Sequence, residues 1–390
     1  MDIDEELYKF NVWWEKTAYK PDFIPRPKYL QVLQRYLKNR DIILITGLRR
    51  IGKTTLMKSF IASLLETVNP KHVLYVSLDS LPLEPYTIHE IVRAFRKTCR
   101  LSLDTKTYLF LDEVAYRATA HQELKNLYDH ENVKIFATSS SASILQDTRG
   151  FLTGRARVLE VLPLDFDEFL AFRGLKVSRA EGYMLESHFE TFMQMGGIPE
   201  YVLTDDVSYL DHLIESVIYK DIVARYGVKD VTSIKEFFRL LMERAGKQIS
   251  LNKIGRVLGV SPDTTRRYLH YFTQTFLVYT IERCGKLNER LKAPKKLYAA
   301  DVGLRNYITG FRDKGAVFEN LVYLKIKDHR PCYVYHSGQE LDFFFEDTLL
   351  EVKYEKDLEG KQKDLFNTFK AKRKVVVKTM QDYLRLKASL

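Results

Sequence analysis

The chain has 390 residues, of which 45% are hydrophobic and 29% are charged. These fractions are typical of a folded, water-soluble protein, and the length allows two or three domains that each have their own core. No apolar run approaches the roughly 20 residues that span a bilayer, so the sequence predicts no transmembrane helix and no membrane partner. A net charge of +10 favours a polyanionic partner such as nucleic acid, although a basic surface that serves only solubility is the alternative.

The cysteines and the N-terminus indicate the compartment. Cys99, Cys284 and Cys332 are isolated and lack CxxC spacing, so they predict neither a zinc site nor a disulfide framework. Such cysteine usage favours a reducing, intracellular setting. The first residues, MDIDEELYKFNVWWEK, are acidic where a signal peptide would be basic and then apolar. We therefore expect a cytoplasmic protein.

The stretch DIILITGLRRIGKTTLMKSFIASLL contains the most specific pattern in the chain. It predicts a strand, a loop and a helix, and the loop matches the phosphate-binding pattern G-x-x-x-x-G-K-[ST] in the context that this pattern requires. Lys53 would reach the β- and γ-phosphates of a nucleoside triphosphate, and the Thr54 hydroxyl would bind Mg²⁺. The alternative is a chance match or a loop that does not bind. The predicted nucleotide-binding residues here are Gly47, Arg50, Gly52, Lys53, Thr54 and Thr55.

Two later stretches supply further groups for a hydrolytic site. TYLFLDEV, 107–114, is an apolar strand that ends in two acids. Asp112 would hold Mg²⁺ through water, and Glu113 would activate the attacking water. KIFATSSS, 134–141, predicts another buried strand, after which Ser139 would sense the γ-phosphate or would simply belong to a Ser-rich turn.

The predicted strands give the fold class of this region. They lie at 42–46, 73–79, 107–112, 133–138 and 158–162 and alternate with helical stretches. This alternation predicts a parallel sheet covered on both faces, with the ligand at the carboxyl ends of the strands. Near the last strand, Arg155 or Arg157 would act in trans as an arginine finger, unless it is merely a solvated arginine.

Several stretches together resemble a family of archaeal and bacterial AAA-like P-loop ATPases. The resemblance covers GLRRIGKTTL, LDEV, ATSSSASIL, and LTGR ahead of LEVLPLDFDEF, and it continues into GGIPEYV and VIYKDIVARYGV. It implies ATP as the nucleotide, an assembly of several copies, and a winged-helix segment and a restriction-endonuclease-like domain after the ATPase domain. Thr138 is a departure, because related proteins tend to have Gly before the sensor serine.

The middle of the chain predicts helices. Residues 165–230 are helical with a break at Gly196-Gly197, and SIKEFFRLLMERAG continues with an amphipathic helix. SLNKIGRVLGVSPDTTRRYLHYF then predicts two helices, from Ser250 to Leu258 and from Ser261 onward, around a tight turn at Gly259. FLVYTIERCGKL would supply the strand of a wing.

This pattern is typical of a winged helix-turn-helix, which either contacts DNA or joins proteins. In the DNA interpretation the second helix presents its side chains as a recognition helix does, whereas in the other its arginines form a solvated face. The side chains concerned are Thr264, Thr265, Arg266, Arg267 and His270.

The C-terminal pattern is helix, three strands, helix and strand. The two last strands of the three form a hairpin, LDFFFEDTLLEVKY, around a Glu346-Asp347 turn. A two-residue turn pairs Phe345 with Thr348 and places Asp342 opposite Glu351. Like charges that face each other in this way are destabilising.

This order of elements resembles the core of the PD-(D/E)xK nuclease fold. The matching residues are Glu319 on the first helix, Asp342 on the second strand, and Glu351 and Lys353 on the third, with Leu341 where the motif has Pro. The resemblance implies a Mg²⁺ site on the three acids, and a cation there would neutralise their repulsion. Lys353 would position or help to deprotonate the attacking water. The alternative is that Asp342, Glu351 and Lys353 form the solvent-exposed face of a hairpin at the edge of a sheet.

The combined prediction is an α/β protein with a P-loop NTPase parallel sheet, a helical and winged helix-turn-helix region and a small nuclease-like domain. The predicted domains are 1–165, a helical lid or linker at 166–230, the winged helix-turn-helix at 231–285, and 286–390. The expected partners are ATP, Mg²⁺ and DNA, with a protein partner or a homo-oligomer as further candidates. An alternative is a nucleotide-controlled switch whose C-terminal domain only binds DNA or protein. A third is an ATPase with purely protein partners.

Overall fold

The computed structural model describes residues 3–15, 19–142, 152–176 and 182–386. The chain forms two compact units, Met1–Val161 and Leu162–Leu390. The boundary falls four residues before the predicted end of the first domain at 165.

A parallel five-stranded sheet forms the centre of the N-terminal unit. Its strands are β1 (Ile42–Thr46), β2 (Val73–Ser77), β3 (Thr107–Asp112), β4 (Val133–Ser139) and β5 (Ala156–Glu160). Their spatial order is β2-β3-β4-β1-β5, and all neighbours pair in parallel. Each predicted strand is confirmed, with small shifts at the ends. The central strand β1 is apolar and buried along its whole length, as expected where both faces of a sheet are covered.

Helices precede and connect these strands. Two of them, α1 (Ile3–Phe10) and α2 (Pro27–Tyr36), precede β1. The connecting helices are α3 (Lys53–Leu64), α4 (Ile88–Cys99) and α5 (Ala120–His130). Short 3₁₀ turns lie at Val12–Trp14, Pro70–His72, Leu81–Leu83 and Val114–Tyr116. A capping box of Thr87 and Glu90 begins α4, because each side chain accepts the backbone N–H of the other residue.

The N-terminal segment is fixed to the edge strand β2 by buried side chains. The Asn11 amide accepts a hydrogen bond from Tyr75 N at 2.6 Å and donates to Tyr75 O at 2.9 Å. The indoles of Trp13 and Trp14 both donate to Val73 O, at 3.3 and 2.9 Å. These bonds satisfy backbone groups that an edge strand would otherwise expose.

The C-terminal unit begins with helices, as predicted. They are α6 (Phe166–Phe172), α7 (Met184–Met195), α8 (Pro199–Thr204), α9 (Ser208–Ser216), α10 (Ala224–Tyr226), α11 (Val231–Glu243), α12 (Leu251–Leu258) and α13 (Pro262–Gln274). A π-helical segment, Val217–Val223, joins α9 to α10.

The predicted pair of helices around Gly259 is confirmed. The Ser250 hydroxyl caps α12, and Gly259 ends it with φ of +67°. The Ser261 hydroxyl caps α13 by accepting from Thr264 N at 3.1 Å, with Pro262 at the first helical position.

A two-stranded antiparallel sheet follows these helices. It consists of β6 (Val278–Ile281) and β7 (Lys296–Ala299), with the short helix α14 (Leu287–Lys292) between them. The strand β6 lies where a wing strand was predicted, whereas β7 was not predicted. It lies in a Lys-rich stretch that lacks a clear strand pattern.

The remaining elements form a mixed sheet with helices. They are α15 (Val302–Thr309), α16 (Lys314–Ile326), β8 (Cys332–His336), β9 (Gln339–Phe345), β10 (Thr348–Val352), α17 (Gly360–Thr368), β11 (Arg373–Val377) and α18 (Met380–Arg385). A 3₁₀ turn, Lys327–His329, follows α16. The sheet order is β11-β10-β9-β8, and the predicted order from α16 to β11 is confirmed. The predicted pairing of Phe345 with Thr348 is also confirmed.

A shared hydrophobic core joins the three segments that were predicted as separate. One cluster of buried residues contains Phe192 from the helical segment, Ile281 from β6, and Phe343 from β9. This cluster thus contains residues from both sides of the predicted boundaries at 230 and 285, and the domain division stays a prediction.

The expectation of unpaired cysteines is wrong for two of the three. Cys284 and Cys332 form a disulfide, and Cys99 is free. The chain after β6 meets the start of β8 at an Arg283–Tyr333 bridge, and this brings the cysteines together. They are 48 residues apart in sequence, so spacing alone cannot show that they meet.

Among the described helices, none is both long and apolar enough to cross a membrane.

Candidate functional site

The phosphate loop leaves the carboxyl end of β1 and leads directly into α3. Gly47 has φ of +137°, and a Cβ atom there would lie 2.4 Å from the carbonyl oxygen of Val161. Only glycine fits this close approach of two backbones. Arg50 and Gly52 also have positive φ, at +61° and +91°. Successive turns of this kind aim backbone N–H groups at a common anion, and Thr55 lies just beyond in the first turn of α3.

The two specific side chains of the loop lie where the pattern requires them. Lys53 is buried, and its ammonium donates to Gly47 O and Leu48 O, both at 3.0 Å. The Thr54 hydroxyl donates to Asp112 Oδ2 at 2.7 Å. A hydroxyl and a carboxylate side by side are the hard oxygen ligands that Mg²⁺ prefers near phosphates. The residues present therefore fit the predicted Mg²⁺.

Asp112 has two further partners that sequence analysis did not assign. Tyr75 on β2 donates its hydroxyl to Asp112 Oδ2 at 3.0 Å, and Thr138 on β4 donates to Oδ1. Because β2, β3 and β4 are neighbours, their carboxyl ends place all three side chains together. Burial and the Asp112 carboxylate raise the pKa of Tyr75, so its hydroxyl remains a donor. In the sequence, the one sign of the contact between Thr138 and Asp112 is that Thr138 stands where related proteins tend to have Gly.

Glu113 and the serines after β4 form the outer part of the site. Glu113 has φ of +54°, a left-handed conformation that strains a residue with a side chain. Its N–H donates to Thr138 Oγ1 at 2.9 Å, and its carboxylate accepts from the Ser140 hydroxyl at 3.1 Å. The Ser139 hydroxyl instead donates to Ser141 O at 3.1 Å and accepts from Ser141 N at 3.0 Å. Ser139 thus closes a local turn, and its sensor role stays a prediction.

The two candidate arginine fingers lie away from the phosphate loop of their own chain. Ile42 N, at the start of β1, donates to Arg155 O, whereas the loop follows the other end of β1. A strand of this length spans about 16 Å. Arg155 pairs with Asp129 at 2.9 Å, and Arg157 pairs with Asp41. Within one copy, neither arginine reaches the phosphates.

The hairpin carboxylates of the C-terminal unit lie together but are not on a wet face. Asp342 is 6% exposed and Glu351 is fully buried, so the alternative of a solvated edge hairpin is wrong. Their strands, β9 and β10, are the two interior strands of the sheet. Asp342 N donates to Glu351 Oε2 at 3.0 Å, and Val352 N donates to Asp342 Oδ2 at 2.9 Å. Each carboxylate therefore accepts a backbone N–H, which offsets part of their repulsion.

A buried lysine that sequence analysis missed lies among these acids. The Lys296 ammonium, on β7, is 2.7 Å from Glu319 Oε1, 2.6 Å from Glu340 Oε1 and 2.9 Å from Asp342 Oδ1. Burial alone would lower the pKa of Lys296, but the carboxylates raise it well above its ordinary value. Burial and the Asp342 charge raise the pKa of Glu319. The Lys296 ammonium thus supplies, next to these acids, the positive charge that the sequence led us to expect from a bound metal ion.

The predicted catalytic lysine contacts the other acid. Lys353 Nζ lies 3.0 Å from Glu351 Oε1, which also accepts from Gln362 Nε2 at 2.7 Å. Burial and Asp342 raise the pKa of Glu351. Among the described residues, no group of three or more His, Cys, Asp or Glu side chains is arranged to hold a metal. The predicted metal set of Glu319, Asp342 and Glu351 does not fit a divalent cation in this arrangement.

A groove of about 700 Å³ lies between α13 and the chain that enters β7. None of the described residues that line it is acidic. Its polar lining includes Ser250, Asn252, Arg266, His270, Lys292 and Lys295. Thr265, one of the predicted recognition residues, is instead buried and donates to Pro262 O at 2.8 Å.

Comparison with protein families places the phosphate loop in a known domain. The model of the AAA domain family matches residues 39–170, which include the five parallel strands. This segment is therefore similar to AAA domains, and it contains the P-loop. A domain of unknown function, DUF8612, matches residues 186–315.

Full-length relatives are themselves uncharacterized. The chain is 27% identical over 95% of its length to an uncharacterized protein of Methanocaldococcus jannaschii, of which it covers 86%. A second uncharacterized protein of that organism is 24% identical over 75% of this chain and 67% of its own. One from Haemophilus influenzae is 25% identical over 78% of each chain.

Solved structures show only distant similarity. AMPPCP-bound DnaA from Aquifex aeolicus is 17% identical, with a TM-score of 0.29 over 64% of this chain and 87% of its own. The S. cerevisiae Hsp104–ADP complex is 14% identical, with a TM-score of 0.34 over 66% of this chain and 51% of its own.

Proposed function

We propose that the N-terminal unit binds and hydrolyses ATP in the presence of Mg²⁺. The observation that carries this proposal is the contact of Thr54 with Asp112 at the end of the P-loop, at 2.7 Å. The AAA domain match supports it.

Each residue of the site has a role in this proposal. The loop N–H groups and Lys53 bind the β- and γ-phosphates, and Thr54 and Asp112 hold the metal. When bound, Mg²⁺ neutralises charge that develops on the phosphates. Glu113 orients the attacking water and accepts its proton, and the Ser140 hydroxyl keeps that carboxylate aimed at the site. Tyr75 and Thr138 hold Asp112 in one orientation.

Nucleotide binding tests the first part of this proposal. We expect Mg²⁺-ATP to bind the full chain in a calorimetric titration, and Lys53→Ala to weaken binding at least 10-fold. Lys97→Ala on the exposed side of α4 is the matched control, because it removes an equal charge away from the loop. Equal affinity of all three proteins would contradict the proposal.

An arginine finger formed by Arg155 or Arg157 requires a neighbouring copy, because neither side chain reaches the phosphate loop of its own chain. We propose Arg155, which is partly exposed, for this role. If Arg155 acts in this way, the rate of ATP hydrolysis per copy should rise with protein concentration. The variant Arg155→Ala should abolish that rise. A rate per copy that is constant with concentration would contradict this role.

We further propose that the C-terminal unit binds a nucleic acid through the groove beside α13. The supporting observation is the absence of acidic side chains from its described lining, together with the exposed cations Arg266, Lys292 and Lys295 and the exposed imidazole of His270. Basic side chains that bind phosphates release counterions, so binding must weaken steeply as salt increases.

Fluorescence anisotropy with labelled duplex and single-stranded DNA tests this partner. We expect the double variant Lys292→Ala, Lys295→Ala to weaken binding and to reduce the salt slope by about 2. The variant Lys361→Ala, Lys363→Ala on α17 removes two exposed lysines elsewhere and is the control. No binding at low salt would favour purely protein partners.

A further inference from the structure

The environment of Lys296 has a consequence for the chemistry of the C-terminal unit. Three carboxylate oxygens, from Glu319, Glu340 and Asp342, lie within 2.9 Å of its ammonium. Carboxylate oxygens are the hard ligands that a divalent metal also binds, but here the cation among them is the lysine ammonium. The ammonium is 1% exposed, so it is part of the interior of the unit.

Three of the other carboxylate oxygens of the cluster already have hydrogen-bond donors. Asp342 Oδ2 accepts from Val352 N, and Glu351 Oε2 accepts from Asp342 N. Glu340 Oε2 accepts from Gln248 Nε2 at 2.6 Å. Mg²⁺ demands near-octahedral coordination at about 2.0–2.1 Å, so it would have to displace several of these bonds.

The lysine is also held in place by its backbone. Lys296 pairs with Ile281 in the β6–β7 sheet and forms a second bridge with Gln248 on its other side. The ammonium cannot move into solvent without opening this buried part of the unit. A divalent cation would therefore meet a fixed positive charge at hydrogen-bonding distance from the same carboxylates, and the repulsion disfavours its binding.

We infer that Lys296 is a built-in cation that replaces a divalent metal in this cluster. The C-terminal unit then folds without a metal, and its carboxylates bind neither Mg²⁺ nor Mn²⁺. A nuclease mechanism that depends on a metal at Asp342 and Glu351 does not operate in this chain. The inference is independent of ATP hydrolysis, because every residue concerned belongs to the C-terminal unit.

Removal of the lysine should create the metal site that it prevents. In Lys296→Ala the carboxylates keep their positions on the helix and strands, lose their cation and gain space. We expect the nucleotide-free full chain to bind one additional Mn²⁺ per chain in this variant, measured by electron paramagnetic resonance of free Mn²⁺. Millimolar Mn²⁺ should also raise its Tm by several degrees relative to the metal-free variant. Lys286→Ala, an exposed lysine of the same stretch that does not line the proposed nucleic-acid groove, should behave as wild type in both measurements.

A second arm keeps the test decisive if Lys296→Ala does not fold. Mn²⁺ binding is then compared for wild type, Asp342→Asn and Asp112→Asn, all without nucleotide. The inference predicts that Asp342→Asn binds as much Mn²⁺ as wild type, because the cluster holds none. Loss of one Mn²⁺ in Asp342→Asn but not in Asp112→Asn would overturn the inference. So would a folded Lys296→Ala protein that binds no additional Mn²⁺.

Discussion

Asp112 illustrates what single residues contribute to the nucleotide site. Its carboxylate accepts three hydroxyls, from Thr54 on the loop, Tyr75 on β2 and Thr138 on β4. A sequence pattern predicts the acid and the loop threonine because they belong to known motifs. It does not predict Tyr75, since only the strand order shows which residue ends beside Asp112.

Tyr75→Phe tests whether the tyrosine positions Asp112. The change removes one hydroxyl and leaves the ring, so we expect the fold to persist. Loss of an outer partner of a metal-binding carboxylate typically weakens metal affinity 10-fold to 100-fold. We expect the free Mg²⁺ concentration for half-maximal hydrolysis to rise about 10-fold, with the KM for ATP unchanged at saturating Mg²⁺.

A merely structural tyrosine would give a different result. It would lower stability and kcat without changing the Mg²⁺ dependence. Phe110→Leu, a buried change on the neighbouring strand without a polar contact to Asp112, is the control. An unchanged Mg²⁺ dependence in Tyr75→Phe would contradict the positioning role.

Because of Lys134, the stability of the N-terminal unit should depend on pH in the alkaline range. The residue is 2% exposed, and its ammonium donates to Asn39 O at 2.8 Å and to Asp41 O at 2.5 Å. Burial lowers its pKa from 10.5 to about 8. Between about pH 8 and pH 10.5, the unfolded chain keeps a proton on Lys134 that the folded chain has lost. The free energy of unfolding therefore rises with pH in this range.

The matched variant for this prediction is Lys134→Met. The difference in free energy of unfolding, wild type minus variant, should increase by up to about 3 kcal/mol between pH 8 and 10.5. Urea unfolding at a series of pH values measures it. A difference that stays constant, or that falls with pH, would show that the pKa is not lowered.

At the scale of elements, the N-terminal segment stabilises the edge of the sheet. Asn11 is fully buried and bonds both backbone groups of Tyr75. Asn11→Ala leaves these groups unsatisfied, at about 1–3 kcal/mol each. We expect a loss of at least 2 kcal/mol in urea unfolding, against less than about 0.5 kcal/mol for the exposed Lys9→Ala. Equal effects of the two changes would contradict the anchoring role.

The GGIP stretch has a structural explanation in the C-terminal unit. Gly197 N donates to Asp301 Oδ2 at 2.6 Å, and Leu164 N donates to Gly197 O at 2.8 Å. A Cβ atom on Gly197 would lie 2.2 Å from Leu164 O. This close approach, which only glycine allows, brings together the chain segments next to α6, α7 and α15. The GGIP motif is therefore explained by packing within the C-terminal unit.

Elements with strong patterns were predictable, and those that depend on distant partners were not. The two-residue turn at Glu346-Asp347 predicted the pairing of Phe345 with Thr348, which the structure confirms. The strand β7 escaped prediction, because its first residue, Lys296, follows other lysines and its burial depends on acids far along the chain. The sequence predicted a metal ion beside the hairpin carboxylates and did not indicate that Lys296 lies next to Asp342.

At the scale of the molecule, the sheet of the first compact unit lies in a segment similar to AAA domains, and the second compact unit has a buried core of its own. Sequence patterns located the sheet of the first unit because its strands are continuous apolar runs. They divided the second unit into three segments, since helical and strand patterns change there, although the buried side chains of those segments pack together.

A single-turnover measurement shows whether the P-loop hydrolyses ATP. Phosphate release from Mg²⁺-ATP should be measured with wild type and Glu113→Gln, with the affinity for ATP determined in parallel. We expect release by wild type and a reduction of about 10²–10⁴-fold in the variant at unchanged affinity, because the change removes only the base. Equal release from both proteins, or none from wild type despite tight binding, would contradict the account.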